Sequence, residues 1–378
     1  MSAAHRSLLS QRPSSSARVS FGRRLLGSPE GTTVAALQIG VMGAGAIGVF
    51  LGLHAAAGGA HVTLVGRSSL LESSAELSAT RLDGRRLEPT PTVVLSDDPE
   101  ALAEADIVIV TVKSRDSTAV GERLATILPE RATIVSFQNG LGNLKRLGSS
   151  LGPRVIAGMV SFNVIRDGPR LRQATRGPLI AGDGGERHDR RAHLQALAAA
   201  LDAGGLPLEL RPDIDDVIAG KLLLNLSNGV GAATGLPIAA TLRSRDARIC
   251  FARCIREGIA ALTCAGYRPR SVIGLPPSLI ASLLPLPNIL VMMVARKMVS
   301  LDPQARSSTL QDLDAGKPTE IGDLNGAIAD LAQAHGLQAP ANQTITEIIR
   351  ELETTERPLS FISPRDLRRR IAAASREA

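Results

Sequence analysis

Aromatic residues are almost missing from this chain of 378 residues: they make up 2% of it, with no Trp and a single Tyr, Tyr267. Proteins that bind single-stranded nucleic acids stack bases on aromatic side chains, so this class is disfavoured. The core must instead be built from Leu, Ile, Val and Ala. The length favours two domains with flanking tails.

Cysteine is also scarce, with only Cys250, Cys254 and Cys264. The first two could face each other across a helical turn, but a disulfide framework needs more pairs and a secretory signal. No histidine lies close to them in the sequence. We therefore expect buried free thiols, and no metal site is predicted.

Acidic residues are rare at the two ends, and this explains the net charge of +7. Residues 1–36 carry +4 and residues 357–378 carry another +4, which leaves −1 for the residues between. Nucleic-acid binding by the folded part is not expected. We expect residues 357–378 to form a solvated basic tail.

The N-terminal residues 1–36 are rich in Ser and Arg and contain no acid before Glu30. This composition is typical of a mitochondrial or plastid transit peptide, and equally of a disordered extension. We expect a cytoplasmic protein, or a mitochondrial one if the extension is a targeting segment.

A charge-free apolar stretch runs from Ser271 to Ala295, which is long enough for a membrane span. However, it contains four prolines, which would break a spanning helix repeatedly. Broken helices at a buried or interface position are expected instead, with no membrane association.

A glycine-rich turn follows the first apolar strand. The run Gly43-Ala44-Gly45-Ala46-Ile47-Gly48 separates a strand that begins near Leu37 from an apolar helical segment. In such a turn the first glycine permits the tight bend, the second lets the backbone approach a pyrophosphate, and the third lets helix and strand pack closely. The pattern predicts a dinucleotide site in a Rossmann domain.

The next strand, His61 to Gly66, ends at Arg67. An NAD site usually has an acid here for the ribose 2′-hydroxyl, whereas an arginine can pair with a 2′-phosphate. NADP is the predicted cofactor; the alternative is an arginine that merely begins a surface loop. Residues 79–95 are expected to form a small hairpin.

Two further buried strands deliver polar residues to the same sheet edge. The strand 106–112 ends at Lys113, and the strand 133–137 ends at Gln138-Asn139-Gly140. Carboxyl ends of parallel strands face the ligand crevice. The predicted Rossmann domain covers residues 37–211.

Helical patterns dominate from residue 212 to about 356, which we interpret as a separate helical domain for substrate and catalysis. Its first segment contains Lys221 and Asn225, four residues apart and thus on one helix face. A lone lysine on a helix is more often a solvated charge. The other motifs change this interpretation.

The sequence resembles the ketopantoate reductase (2-dehydropantoate 2-reductase) family from about Leu37 to Glu353. The resemblance rests on the ordered spacing of five motifs: the glycine turn, Thr111-Val112-Lys113, Gln138-Asn139-Gly140, Lys221-x-x-x-Asn225, and Ser307-Ser308 through Thr319-Glu320 to Asn325-Gly326. It implies an α/β Rossmann domain followed by an all-α domain, in the two-domain architecture of 6-phosphogluconate dehydrogenase, with the active site between them.

The resemblance also implies residue roles. Lys221 is similar to the family's catalytic lysine, and Glu320 to the acid at the substrate hydroxyl, where it also borders the cofactor. Substrate contacts are implied for Asn225, Asn228, Ser308 and Asn139. Cofactor contacts are implied for Gly43 to Gly48, Arg67, Lys113 and Asn139.

These residue types suit the implied reaction, reduction of a 2-oxo acid with NADPH. Hydride delivery to a ketone leaves negative charge on oxygen, which an ammonium such as Lys221 can stabilise and protonate. Glu320 could orient that ammonium. Alternative roles are a surface charge for Glu320, helix polarity for Asn225 and a helix N-cap for Ser308.

One departure concerns the substrate side. The family often has a second asparagine at position 229, where this chain has Gly229, with Asn228 one residue earlier. A shift of one residue turns a side chain by about 100° around a helix. Reduction of another branched 2-oxo acid therefore stays open, as do a hydroxy-acid or opine-type dehydrogenase and a non-catalytic NADPH-binding protein. The oligomeric state stays open too, with a homodimer as one candidate.

Overall fold

The computed structural model describes residues 36–377 except for 69–70, 72–75, 91, 290 and 292–304. Nearly all of the N-terminal extension 1–36 and the end of the apolar stretch 271–295 lie outside the described residues. The first half of the described chain is an α/β domain. Its main sheet contains β1 (Gln38–Met42), β2 (His61–Val65), β5 (Val93–Ser96), β6 (Ile107–Val110), β7 (Thr133–Ser136), β8 (Val155–Val160), β11 (Leu179–Gly182) and β12 (Leu208–Arg211).

The main sheet has the order β12-β11-β8-β7-β6-β1-β2-β5. From β5 to β8 all neighbouring strands are parallel, whereas β11 pairs antiparallel with β8. The order reverses between β1 and β6. Ligands of doubly wound sheets bind at such a switch point, outside the carboxyl ends of the strands.

A second, four-stranded sheet lies beside the first in the order β4-β3-β10-β9. Its strands are β3 (Ser78–Thr80), β4 (Arg86–Leu87), β9 (Val164–Asp167) and β10 (Arg170–Gln173). The expected hairpin at 79–95 is therefore shorter, since only β3 and β4 pair antiparallel. The apolar residues after it form β5, which pairs with β2 in the main sheet.

Helices cover both faces of the main sheet, as buried parallel strands require. They are α1 (Ala46–Ala57), α2 (Ser117–Ile127), α3 (Gly142–Leu151) and α4 (His188–Ala203). Short 3-10 turns span Pro99–Leu102, Ser114–Asp116 and Gly152–Arg154. Strands β6 and β7 are buried at every position, which explains their uninterrupted apolar sequence.

The second half of the described chain is helical. It contains α5 (Ile214–Thr234), α6 (Ile238–Arg243), α7 (Arg245–Cys264), α8 (Pro277–Leu283), α9 (Ser308–Asp314), a 3-10 turn (Ile321–Asp323), α10 (Asn325–Ala334), α11 (Pro340–Thr354) and α12 (Pro364–Glu377). None of the described helices has the length and apolarity to cross a bilayer. This architecture confirms the expected Rossmann domain followed by an all-α domain.

Helix α5 is the long element that joins the two halves. Asp215 and Asp216 lie in its first turn, where negative charge stabilises the positive end of the helix dipole. It ends at Gly235, whose left-handed φ of 66° suits a helix C-terminus. Ile214, Val217 and Ile218 pack on Ala157 and Met159 of β8, so the start of α5 is anchored to the main sheet.

Two expectations need correction. The predicted tail at 357–378 instead contains α12, whose Leu367 and Ile371 are fully buried in the core of the helical half. Only one narrow face is apolar, and the arginines on the other faces gave the segment the composition of a solvated tail. Cys250 and Cys254 are buried free thiols, but Cys264, at the end of α7, is exposed.

Candidate active site

The glycine turn adopts the conformation that its sequence predicts. Gly43 has a φ of 104°, which a residue with a side chain rarely adopts. A Cβ at Gly48 would lie 2.3 Å from the Gly43 carbonyl oxygen and 2.5 Å from Thr111 Oγ1, so only glycine fits there. A Cβ at Gly45 would have one neighbour among the described residues, the Gly43 carbonyl oxygen at 4.0 Å. The turn is closed towards the protein and open on its outer side.

The open side of the turn coincides with the start of α1. Among the residues that the structure describes, no side chain caps the first N–H groups of this helix, which begins after Gly45. Uncapped N–H groups and the positive dipole end attract phosphate. Arg166 of β9 adds a cation, since its Nη1 donates to the Ala44 carbonyl at 3.1 Å. Arg166 could not be predicted from a motif, because it lies on a strand of the other sheet.

Arg67 lies exposed just beyond β2, next to the glycine turn. The adjacency is direct, because the Gly43 and Ala44 N–H groups both donate to the Val65 carbonyl of β2. An acid is also near: Asp97 accepts a hydrogen bond from Ser68 Oγ at 2.9 Å. Arg67 therefore lies beside the glycine turn, and its pairing with a 2′-phosphate stays a prediction.

Lys113 and Ser114, at the carboxyl end of β6, reach across to the helical half. Lys113 Nζ lies 3.1 Å from Asp312 Oδ2 of α9 and 3.8 Å from Glu320 Oε2. The Ser114 N–H donates to Glu320 Oε1 at 3.3 Å. Glu320 is thus held at the edge of the Rossmann sheet although it lies late in the chain. Asp312 was not predicted; its position one turn after Ser308 was the available signal.

Lys221 points from α5 to the same edge. Its Nζ donates to Asn139 Oδ1 at 2.9 Å, and Asn139 follows β7. Burial lowers the pKa of Lys221 from 10.5 to about 8, while the negative charge of Glu320 partly opposes this fall. An ammonium with such a pKa releases a proton far more readily near neutral pH than an ordinary lysine.

The substrate-side candidates lie along α5 and α9. Asn225, one turn beyond Lys221, is half-buried, and in the described part of the chain its side-chain amide has no hydrogen-bond partner. Asn228 is also half-buried, and its carbonyl accepts from Ser307 Oγ at 3.5 Å. Ser308 is exposed, one turn before Asp312. The N-cap of α9 is Ser307, not Ser308, which leaves the Ser308 hydroxyl free of that role.

Gly229, one turn after Asn225 on α5, packs closely against α10 and α11. A Cβ there would lie 2.4 Å from Asn325 Oδ1 and 2.7 Å from Ile345 Cγ2, so an asparagine would require these side chains to shift. Asn228, seven residues after Lys221, is close to the same helix face as the lysine. The glycine at position 229 thus allows close packing of α5 on α10 and α11.

A buried polar network supports the two strand-end loops. Gln138 Nε2 donates to the Val112 carbonyl and to Ser117 Oγ, both at 2.8 Å. Asn143 Nδ2 donates to the Asn139 carbonyl at 2.6 Å. Asn143 was not predicted as a site residue, because a buried amide next to a glycine loop has no motif of its own. Among the described residues, no cluster of His, Cys, Asp and Glu is arranged to hold a metal ion.

A Rossmann sheet and a helical half that meet at a cleft with a lysine and a glutamate define a class, the two-domain oxidoreductases. Two family models match: Ketopantoate reductase PanE/ApbA over residues 39–186, and Ketopantoate reductase PanE/ApbA C terminal over residues 213–353. The chain belongs to the ketopantoate reductase family.

Relatives and solved structures agree with this assignment. The chain is 26% identical to a 2-dehydropantoate 2-reductase of Halobacterium salinarum, over 83% of this chain and 98% of the relative. It is also 26% identical to a 2-dehydropantoate 2-reductase of Archaeoglobus fulgidus, over 84% of this chain and 98% of the relative. A ketopantoate reductase structure from Ralstonia eutropha is similar with a TM-score of 0.71, 28% identity, and coverage of 84% and 98%. A D-mandelate dehydrogenase structure with NADH shares the fold, with a TM-score of 0.68, 19% identity, and coverage of 84% and 98%.

Proposed function

We propose that this protein is an NADPH-dependent 2-dehydropantoate 2-reductase, which forms (R)-pantoate on the route to pantothenate and coenzyme A. The observation that carries the proposal is the 2.9 Å contact between Lys221 Nζ and Asn139 Oδ1. It brings a primary amine of the helical half to the sheet edge that also carries the glycine turn. Curated relatives along nearly their whole length have this activity in their names.

The residues present suit a dinucleotide. Gly43 to Gly48 and the uncapped start of α1 would hold the pyrophosphate, because a Cβ at Gly45 would meet almost nothing and the N–H groups are free of side-chain caps. Arg67 would pair with the 2′-phosphate of NADP. Lys113 and Asn139 would border the ribose and nicotinamide. When bound, NADPH supplies the hydride that the carbonyl carbon accepts.

Lys221 acts as the general acid. As negative charge develops on the carbonyl oxygen, the ammonium stabilises it and donates one proton from Nζ, so that the ketone becomes an alcohol. The lysine is left as a neutral amine and takes a proton from water. Its lowered pKa makes this transfer favourable near pH 8. Asn139 Oδ1 fixes the direction of the Nζ group.

Glu320 orients the ammonium and accepts a hydrogen bond from the product hydroxyl. The Ser114 N–H holds one of its oxygens, and Lys113 lies 3.8 Å from the other. Asn225, Asn228 and Ser308 can bond the substrate carboxylate and hydroxyl without adding charge. Asn139 would also contact the substrate beside Lys221.

A second candidate is the reduction of another branched 2-oxo acid, and Gly229 favours it. Glycine has no side chain, so the amide that the family often has at this position is absent from α5. A pocket that lacks one hydrogen-bonding group ranks substrates differently from one that has it.

One experiment tests both candidates. The purified full chain is assayed for NADPH and NADH oxidation with 2-dehydropantoate and a panel of 2-oxo acids, ranked by kcat/KM. We expect 2-dehydropantoate with NADPH to rank first. A higher rank for another 2-oxo acid would replace the substrate, and no oxidation with any member would indicate a non-catalytic NADPH-binding protein.

A further inference from the structure

Asn143, in the first turn of α3, has every polar atom of its side chain engaged. It is 3% exposed. Nδ2 donates to the Asn139 carbonyl at 2.6 Å and to Ser114 Oγ at 3.1 Å. Oδ1 accepts from Ser117 Oγ at 2.9 Å and from Arg146 Nη1 at 3.3 Å. An amide offers two donors and two acceptor sites, so its capacity is filled.

The two groups that Nδ2 binds are those that hold the candidate catalytic pair. Asn139, whose carbonyl accepts from Asn143, uses its own Oδ1 to accept from Lys221 Nζ. Ser114, whose hydroxyl accepts from Asn143, uses its backbone N–H to donate to Glu320. Asn143 itself touches neither Lys221 nor Glu320. It ties together the loop after β6 and the loop after β7.

The contact through Oδ1 extends towards the helical half. Arg146, which donates to Asn143, also pairs with Asp323 at 2.6 Å. Asp323 lies three residues after Glu320 and donates its N–H to the Glu320 carbonyl at 2.9 Å. Asn143 is therefore connected to the segment of Glu320 by two routes, one through Ser114 and one through Arg146.

We propose that Asn143 is a positioning residue for the reduction: by fixing the Ser114 and Asn139 loops to each other, it sets Lys221 and Glu320 at their working separation. This inference rests on the proposed function. A buried amide that serves only stability would change the folding of the domain but leave the lysine's proton affinity as it is. The two roles can therefore be separated.

The charged groups around Lys221 give the direction of the effect. Glu320 acts on the lysine and raises its pKa, whereas Lys113 and Asp312 are paired with each other beside Glu320. The pair of Arg146 and Asp323 lies beyond them. Loosening the Ser114 and Asn139 loops weakens the attraction of Glu320 and the bond to Asn139. The pKa of Lys221 then falls below its value in the wild type.

The test compares Asn143→Ala with two further variants. Ser114→Ala removes one contact of Asn143 but keeps the N–H that Glu320 needs. Thr133→Val is the matched control, because it deletes another hydrogen bond of the same domain, 2.9 Å between Thr133 Oγ1 and His193 Nδ1. Thr133 begins β7, so it lies at the opposite end of this strand from Asn139. Thermal unfolding verifies that each variant is folded.

Two readouts are measured on the full chain. The first is the pKa of the Lys221 amine, from the pH dependence of its acetylation by acetic anhydride, followed by mass spectrometry. The second is kcat and KM for the best 2-oxo acid. For Asn143→Ala we expect a lower amine pKa and a fall in kcat of about tenfold or more, with KM changed by less than about threefold. Ser114→Ala should move both quantities the same way by less, and Thr133→Val should move neither.

An unchanged or raised amine pKa in Asn143→Ala, together with a kcat within about threefold of the Thr133→Val value, would overturn the proposal. If Asn143→Ala does not fold, the same criteria apply to Ser114→Ala. The acetylation readout needs no turnover. If the wild type reduces no 2-oxo acid, the proposed function fails, while the lysine pKa still decides the role of Asn143.

Discussion

The pH dependence of the chemical step follows from the environment of Lys221. Burial lowers its pKa from 10.5 to about 8. Reduction requires the protonated form, so the single-turnover rate should be constant below pH 8 and fall about tenfold for each pH unit above it. At pH 10 about 1% of the active rate remains. A lysine with the ordinary pKa of 10.5 would keep about three quarters of it.

The fall in rate above pH 8 is the alkaline limb of the pH profile. The variant Lys221→Arg tests whether Lys221 causes this limb. The guanidinium keeps the positive charge but does not release its proton at any accessible pH, because its pKa is far above that of an amine. The rate should fall by about 10²-fold to 10⁴-fold, and the limb near pH 8 should disappear. In the reverse reaction the neutral amine is the base, so oxidation of the alcohol should rise towards a plateau above pH 8 in the wild type only.

The assay follows a single turnover by the absorbance of the reduced nicotinamide at about 340 nm, from pH 6 to 10. The affinity for NADPH is measured by fluorescence at each pH. Glu320→Gln is the companion variant. Glu320 raises the pKa of Lys221, so its neutralisation should move the limb below pH 8. A limb that persists in Lys221→Arg, or a wild-type limb above pH 10, would refute the assignment of Lys221 as the acid.

Three further predictions concern affinity and stability. Arg67→Ala should weaken NADPH binding by about tenfold and leave NADH binding unchanged, because only NADPH carries the 2′-phosphate; equal losses in two titrations would contradict this role. Gly48→Ala should destabilise the protein by about 1–3 kcal/mol and weaken both dinucleotides, since its Cβ would lie 2.3 Å from the Gly43 carbonyl oxygen; unchanged urea unfolding would contradict the packing. Lys221→Met should stabilise the fold at pH 7 by up to about 3 kcal/mol, because the folded protein disfavours the ammonium. Between pH 8 and 10.5 only the unfolded chain binds the proton of Lys221, so the stability of the wild type should rise with pH in this range. The difference in stability between Lys221→Met and the wild type should therefore shrink there. A difference that does not change with pH would contradict the lowered pKa of Lys221 in the folded protein.

The sequence predicted the elements that have strong local patterns. The glycine turn, the buried strands that end at Lys113 and Gln138, and the helix of Lys221 all have a periodicity or glycine spacing that one element dictates. The resemblance to the ketopantoate reductase family also implied that Lys221 and Glu320 share one cleft. Both are attached to neighbouring strand ends in the structure.

Other features depend on contacts between distant segments. Asn143 donates to a carbonyl four residues away, and Arg166 donates to a carbonyl 122 residues away. No rule of sequence spacing predicts either contact. The close packing at Gly229 depends on Asn325, which lies in a distant segment of the chain. Helix α12 was missed because charge dominates its composition, although Leu367 and Ile371, one turn apart, form a buried stripe.

The most direct measurement is the rate of NADPH oxidation with 2-dehydropantoate by Lys221→Ala beside the wild type at pH 7, with NADPH affinity determined for both. We expect turnover about 10²-fold to 10⁴-fold lower in the variant, with NADPH affinity unchanged. Turnover within a few-fold of the wild type would contradict it.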